Sequence, residues 1–173
     1  MFKKMFICFI FLFTVLLTGC VNSEQNFLKY QNQDFETKAS IDINGEKYSV
    51  IIKKNAEGQA GVIFEEPTRL KGTTLETDGD NLYFCVGNLR LPLGNRDNNQ
   101  IAKLLHLFEL SKEDIVSTKT DLLNGVKVNI INFKQEESNV TLYLATDTDI
   151  PLRIEANTDS NNITINFSEF KTI

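Results

Sequence analysis

The sequence predicts a strand-rich α+β domain, mostly β, in which about eleven short strands form one curved antiparallel sheet packed on one main helix. Three observations predict it. From Phe35 onward apolar residues recur with period two, Asn-Gly and Asp-Gly pairs separate the runs, and only residues 98–110 show helical periodicity. The short turns imply a meander, because parallel strands need long crossovers. No internal repeat and no low-complexity stretch is evident.

The first twenty residues read as an address. Lys3 and Lys4 give a positive start, Phe6 to Leu17 is an apolar run of twelve broken only by Thr14, and Leu17-Thr18-Gly19-Cys20 ends it in small residues. That is the three-part layout of an export signal. The run is too short to span a bilayer, which takes about 20 apolar residues. The 173-residue chain has 18 Lys+Arg against 23 Asp+Glu, and residues 1–19 hold two of the basic ones, so the remainder carries 16 against 23, a net −7. An acidic chain lacks the basic face that sequence-independent nucleic-acid binding requires.

Val21 to Asp34 is polar, with only Phe27, Leu28 and Tyr30 as large apolar groups, and reads as a tether over 20–34 with at most one helical turn. The domain proper is expected over 35–173. Ala39, Ile41 and Ile43 alternate with polar residues, Asn44-Gly45 follows, and Tyr48, Val50 and Ile52 resume the alternation. Asn-Gly supplies the paired φ > 0 residues of a type I′ turn, so this is a hairpin. Gly61 to Glu66 is a third strand stopped by Pro67, and Leu70 to Thr77 a fourth. Asp78-Gly79-Asp80-Asn81 turns into a fifth at Leu82 to Val86, and Gly87-Asn88 into a sixth at Leu89 to Leu93. Pro92 lacks a ladder donor, so that strand is expected to lie at an edge or to end there.

Ile101, Leu104, Leu105 and Phe108 fall at i, i+3, i+4 and i+7, which predicts a helix over 98–110 capped from Asp97 to Asn99. A short turn is expected at Ser111, with Asp114 as its capping-box partner. Strands resume at Ile115 to Thr120 and, after Asn124-Gly125, at Val126 to Phe133. Val140 to Thr146, Leu152 to Asn157 and Ile163 to Phe167 complete the set. The stripe Ile101, Leu104, Leu105, Phe108 packs the helix on its sheet. Where the sheet is half open, the same stripe offers a surface for an acyl chain or a partner.

No catalytic constellation emerges. His106, the single His, falls on the polar side of the expected helix without a nucleophile or orienting group nearby. Cys85 lies between Phe84 and Val86 and reads as a buried, inert thiol, since reactive thiols need electropositive, accessible settings. Asp78-Gly79-Asp80-Asn81 and Asp147-Thr148-Asp149 lack the Gly and bidentate Glu of a calcium loop and read as turns. One His and three Cys are too few for a Cys/His zinc or iron–sulfur site. The expectation is a protein that is not an enzyme, with no metal and no cofactor.

Two groups of residues carry a resemblance. Leu17-Thr18-Gly19-Cys20 resembles a bacterial lipobox, which implies cleavage between Gly19 and Cys20 and lipidation of the Cys20 thiol by a diacylglyceryl group with palmitate-type chains. Two acyl chains, at roughly 0.8 kcal/mol per buried CH₂, hold a protein on a membrane where one is marginal. Downstream, Phe64-Glu65-Glu66-Pro67-Thr68-Arg69-Leu70-Lys71-Gly72, Leu89-Arg90-Leu91-Pro92-Leu93, Ile150-Pro151-Leu152-Arg153-Ile154 and Ile165-Asn166-Phe167-Ser168-Glu169-Phe170 resemble the LolA/LolB/LppX-type half-barrel lipoproteins. The likeness is to their short clostridial form, including the GerS-like germination lipoproteins. It covers residues 35–173, departing from the LolA pattern in having no Trp.

The resemblance implies a LolA-like half-barrel on the outer face of a cytoplasmic membrane, extracytoplasmic and lipid-anchored, in a Gram-positive cell envelope or spore envelope. For the GerS-like branch it implies binding to a protein partner such as a cell-wall or spore-cortex amidase, in sporulation and germination. For the LolA and LppX branches it implies carriage of a lipid or hydrophobic ligand in the half-barrel cavity. A homodimer through edge strands such as Leu89 to Leu93 is a further expectation.

Overall fold

The computed structural model describes residues 27–78, 81–95, 105, 107–135, 138–158 and 161–173. The expected signal segment, Gly19, Cys20, Ile101, Leu104 and His106 lie outside the described residues, as does most of the expected helix.

Eleven strands make one sheet: β1 (Phe35–Ile43), β2 (Glu46–Lys54), β3 (Ala60–Glu66), β4 (Thr73–Asp78), β5 (Asn81–Val86), β6 (Leu89–Asn95), β7 (Ile115–Leu123), β8 (Val126–Gln135), β9 (Ser138–Ala145), β10 (Pro151–Thr158) and β11 (Asn162–Thr172). Their order is β6-β5-β4-β3-β2-β1-β11-β10-β9-β8-β7, antiparallel throughout. Two meanders, β1–β6 and β7–β11, therefore meet along the pairing of the first strand with the last.

The turns explain the meanders. Asn44 and Gly45 have φ 52° and 93°, and Asn124 and Gly125 have 51° and 84°. These are the left-handed pairs that let a two-residue loop match the twist of its flanking strands. The fourth strand begins at Thr73, not Leu70, because residues 68–70 coil into a 3₁₀ turn after Pro67. β6 is an edge strand, and Pro92 sits in it opposite Tyr83. At the meander seam β11 carries an extra residue, Glu169 taking φ 50°, and the Thr37 hydroxyl donates to the Ser168 carbonyl at 2.9 Å. A bulge leaves such carbonyls short of ladder partners, and here the buried Thr37 supplies one.

The core lies on the concave face, where every second residue points. Phe35, Ile41, Ile52, Leu82, Phe133, Leu142, Ile154 and Ile165 are buried there, each contributing roughly 1.5–3 kcal/mol of transfer free energy. The convex face is polar. The Tyr143 hydroxyl donates to Glu155 at 2.9 Å, and Arg153 bridges Asn166 and Glu155.

Two expectations change. The stretch read as tether is folded from residue 27 onward: Lys29–Asn32 form a 3₁₀ turn, and Leu28 and Tyr30 join the core. Tyr30, Phe35 and Phe170 cluster, with Phe35 and Phe170 stacked at 4.8 Å. Three apolar groups in a polar stretch carry no periodicity, yet they suffice to cover one end of a sheet. The second change concerns the end of the helix: within the expected span the described Leu105 is helical, but residues 107–110 are turn and coil, so the helix does not run to Leu110. Leu105, Leu107, Phe108 and Leu110 are nonetheless buried in the core, as an apolar stripe packed on a sheet would be. The turn at Ser111 is a single 3₁₀ turn over Lys112–Asp114, in which the Ser111 hydroxyl accepts from the Glu113 N–H rather than pairing with Asp114.

Candidate functional site

Along the first meander, packing is graded from one end to the other. At the end where β1 starts and β2 stops, the concave face is solid. Ile52 and Leu82 are fully buried, and Leu28 and Tyr30 of the 28–34 segment belong to the same core. Gln31 pins that segment: with its amide turned so that both of its ends are satisfied, it pairs with the N–H and the carbonyl of Leu110 at 3.1 Å. Asp34 accepts from the Ala56 N–H at 2.8 Å. Lys54 closes the same end, its buried ammonium donating to the Gln31 carbonyl at 2.8 Å. Burial pushes the Lys54 pKa down, against the pull of Glu109 and Asp34.

At the opposite end the concave face is hollow. A cavity of about 410 Å³ is floored by the buried Ile41, Val62, Leu75, Ile163 and Leu105. Half-buried Ile43, Tyr48, Phe64, Leu70 and Phe84 wall it. Leu93 and Asn161 complete the lining. Beyond the wall the apolar surface continues outward, with Val86 46% and Leu89 57% exposed. A volume of this size, lined by aliphatic and aromatic groups with few polar ones, has the chemistry of a site for an apolar ligand.

The polar groups of the mouth are few. Tyr48 packs edge-on against Phe64 at 6.0 Å, and its hydroxyl donates to Glu46 at 2.6 Å. That bond, burial and the Glu46 charge hold the Tyr48 phenol above its ordinary pKa. On the other side the Asn44 amide donates to the Asn161 side-chain oxygen at 2.9 Å, clasping the β1–β2 turn to the β10–β11 turn.

Of the stripe read from the sequence, Leu105 lines the hollow. Phe108 packs instead against Phe167 at 6.1 Å, deep in the core, and Ile101 and Leu104 lie outside the described residues. The sequence reading missed most of the lining. Ile41, Ile43, Val62, Phe64, Leu75, Phe84 and Ile163 are the ordinary inward residues of alternating strands, and alternation cannot tell a filled concave face from an empty one.

The remaining chemistry is structural. Cys85 is half-buried rather than buried, and desolvation with Glu76 close by raises its thiol pKa, the reverse of an activated nucleophile. Arg90 lies 3.6 Å over the Tyr83 ring and pairs with Asp78 and Glu76. A second, polar groove of about 460 Å³ includes Lys53, Glu76, Asp78 and Arg90. Its charges are engaged locally, Lys53 with Glu36 at 2.7 Å and Arg90 as above. Among the described residues no three His, Cys, Asp or Glu side chains gather as metal ligands, and no helix is long and apolar enough to cross a membrane.

No protein-family profile and no curated protein sequence matches the chain. Solved structures do. A conserved protein from Thermus thermophilus, itself uncharacterised, superposes with a TM-score of 0.56 at 12% identity, covering 86% of this chain and 84% of that one. A LolA superfamily protein from Nitrosomonas europaea gives 0.49 at 10% identity over 86% and 93%. The Mycobacterium tuberculosis lipoprotein LppX gives 0.47 at 13% over 86% and 96%. At these identities likeness speaks to fold alone, and the first of the three shows that the open, curved antiparallel sheet of this chain is a fold shared with another bacterial protein.

Proposed function

We infer that this chain is a membrane-anchored, extracytoplasmic lipoprotein with a LolA-like half-barrel, working by binding and not by catalysis, and that it holds an apolar ligand in the hollow of the first meander. The lipobox-like Leu17-Thr18-Gly19-Cys20 supports the anchor. The observation that carries the binding reading is the open apolar pocket of about 410 Å³ on the concave face, whose lining is almost wholly aliphatic and aromatic. A concave site of this size and lining suits an apolar ligand. The test is native mass spectrometry of the protein extracted from its own membranes. A co-purifying amphiphile of lipid mass, removed by organic extraction, is expected. Protein that carries no adduct and takes up no added hydrophobic probe would sink the reading.

A second reading is favoured by a different observation. Val86, Leu89, Leu91 and Leu93 are all exposed on β5 and the edge strand β6. Apolar side chains beside an unpaired strand edge make a surface for another protein, by strand addition or by capping. In this reading the partner is an envelope or spore-cortex enzyme such as a cell-wall amidase, or a second copy of the chain. Pull-down from sporulating cells, with Leu89→Lys as control, tests it. Recovery of the same proteins by both forms argues against a role for this edge.

A further inference from the structure

The sheet ends in two unlike edges. At β6 the turn is closed by Val86 opposite Leu89, so Arg90 and Pro92 are the residues whose backbone groups face away from β5. Pro92 has no N–H to offer there, Gly94 takes φ 97°, and the register slips between Leu82 and Tyr83. Proline and bulges blunt an edge against strand addition.

β7 is built differently. It runs nine residues, Ile115–Leu123, without Pro or Gly, and its ladder with β8 is unbroken from Ser117 to Leu123. Residues 116–122 are all exposed. Leu123 and Val126 close the Asn124-Gly125 turn. That directs the backbone groups of Leu123, Asp121 and Lys119 toward β8 and those of Leu122, Thr120 and Thr118 outward. The outward Leu122 N–H is held by the Asp121 carboxylate at 2.8 Å.

The strand that fits this edge is β7 itself. Antiparallel pairing of two copies sets outward residues opposite outward residues, and the registers that do so differ in their charges. Centred on Lys119, the two lysines face each other; centred on Asp121, the two aspartates do. Centred on Thr120, Lys119 of each copy faces Asp121 of the other, Thr118 faces Leu122, and Thr120 meets its own copy on the two-fold axis. Like charges directly opposite destabilise a strand pair, and opposite charges stabilise it. The Thr120 register also aligns the most outward residues. The Leu122 N–H passes from Asp121 to the Thr118 carbonyl of the second copy, which frees the carboxylate. Within one chain Lys119 and Asp121 stand 3.9 Å apart with both side chains more than half exposed, a contact weak enough to be exchanged.

We propose that the partner of the β7 edge is a second copy of this chain, the two β7 strands pairing antiparallel about Thr120, with Lys119 and Asp121 of each copy bonded to Asp121 and Lys119 of the other. The two eleven-stranded sheets then form one sheet whose concave faces open to the same side. The hollow lies in the first meander, away from β7, so the pairing leaves it clear and does not depend on its holding a ligand. A single strand pair is a small interface, so the dimer forms at high protein concentration.

Sedimentation of the full-length chain in dodecyl maltoside tests it. A dimer is expected at about 100 µM. Lys119→Glu or Asp121→Lys, each of which sets like charges opposite one another, is expected to weaken it about tenfold or more. The double exchange Lys119→Glu/Asp121→Lys is expected to restore it to within about threefold. Both positions are exposed, so urea unfolding of all three variants should follow the wild type. Leu89→Lys on β6 should leave the dimer unchanged. The register is read in a full-length chain carrying Cys8→Ser, Cys20→Ser and Cys85→Ser. There Thr120→Cys is expected to form a disulfide-linked dimer about tenfold faster than Thr118→Cys or Leu122→Cys, whose copies stand about 13 Å apart, beyond disulfide reach. A monomer at that concentration overturns the proposal, as does a dimer that survives both single charge reversals or is lost with Leu89→Lys. Equal cross-linking at the three positions overturns the register.

Discussion

Ile41 of β1 stands directly opposite Ile165 of β11, both fully buried, and the sheet is continuous because of that pairing. Ile41 belongs at once to the seam between the meanders and to the floor of the hollow.

Ile165→Ala should destabilise the domain by about 3 kcal/mol, from lost transfer free energy plus the cavity left behind. The melting temperature should fall by roughly 6–12 °C for a domain of this size. Calorimetry should show one transition for the wild type. Two separate transitions would mean that the meanders fold independently and that the seam is not cooperative.

Ile43→Trp adds bulk at the half-buried wall of the hollow without disturbing the fully buried floor. Affinity for a fluorescent apolar probe should drop at least tenfold, while the melting temperature moves by no more than about 4 °C, an energy change near 1 kcal/mol. Unaltered probe affinity would place binding elsewhere.

Tyr30 gives the protein an alkaline limit. It is buried beneath the 28–34 turn, and burial pushes its phenol up to about 12. Between about pH 10 and 12 the unfolded chain releases this proton while the folded one keeps it, so the unfolded state binds fewer protons and stability falls as pH rises. Over that window the contribution lost is about 2–3 kcal/mol. Lys54, whose pKa burial lowers, works in the opposite sense on the alkaline side, so the comparison must be differential. Urea unfolding of Tyr30→Phe beside wild type, from pH 8 to 11.5, should show the variant losing less stability. Parallel pH curves would contradict the burial of this phenol.

Cys20→Ser should release the protein from membranes into the soluble fraction and abolish the diacylglyceryl mass on the N-terminal peptide. Membrane retention of the serine variant would mean that the apolar run itself, uncleaved, holds the chain in place.

Leu89→Lys and Leu91→Lys test the edge. Both positions are exposed, so stability should change by no more than about 0.5 kcal/mol in urea unfolding. Self-association or partner capture, read by analytical ultracentrifugation and pull-down, should weaken if the β6 edge is the contact.

Much of the fold was legible because local rules and the global fold agree. Asn44-Gly45 and Asn124-Gly125 need φ > 0, and they have it. Pro92 cannot donate to a neighbour, and its strand is an edge. The 28–34 segment was not legible, since Leu28 and Tyr30 form no periodic pattern and their burial depends on Phe35 and Phe170 arriving from two strands. Nor was the exposure of Cys85, because an apolar neighbourhood in sequence does not say which face of a strand a side chain takes.

By itself the sequence determined most of the strands, their turns and the inward set of residues, because each depends on spacing within a few residues. Only the tertiary structure decided that β1 pairs with β11 and that the first meander is filled at one end and hollow at the other. Alternation states which side chains point inward. Whether enough of them arrive to fill the concave face depends on how the sheet curves and on what the rest of the chain lays across it.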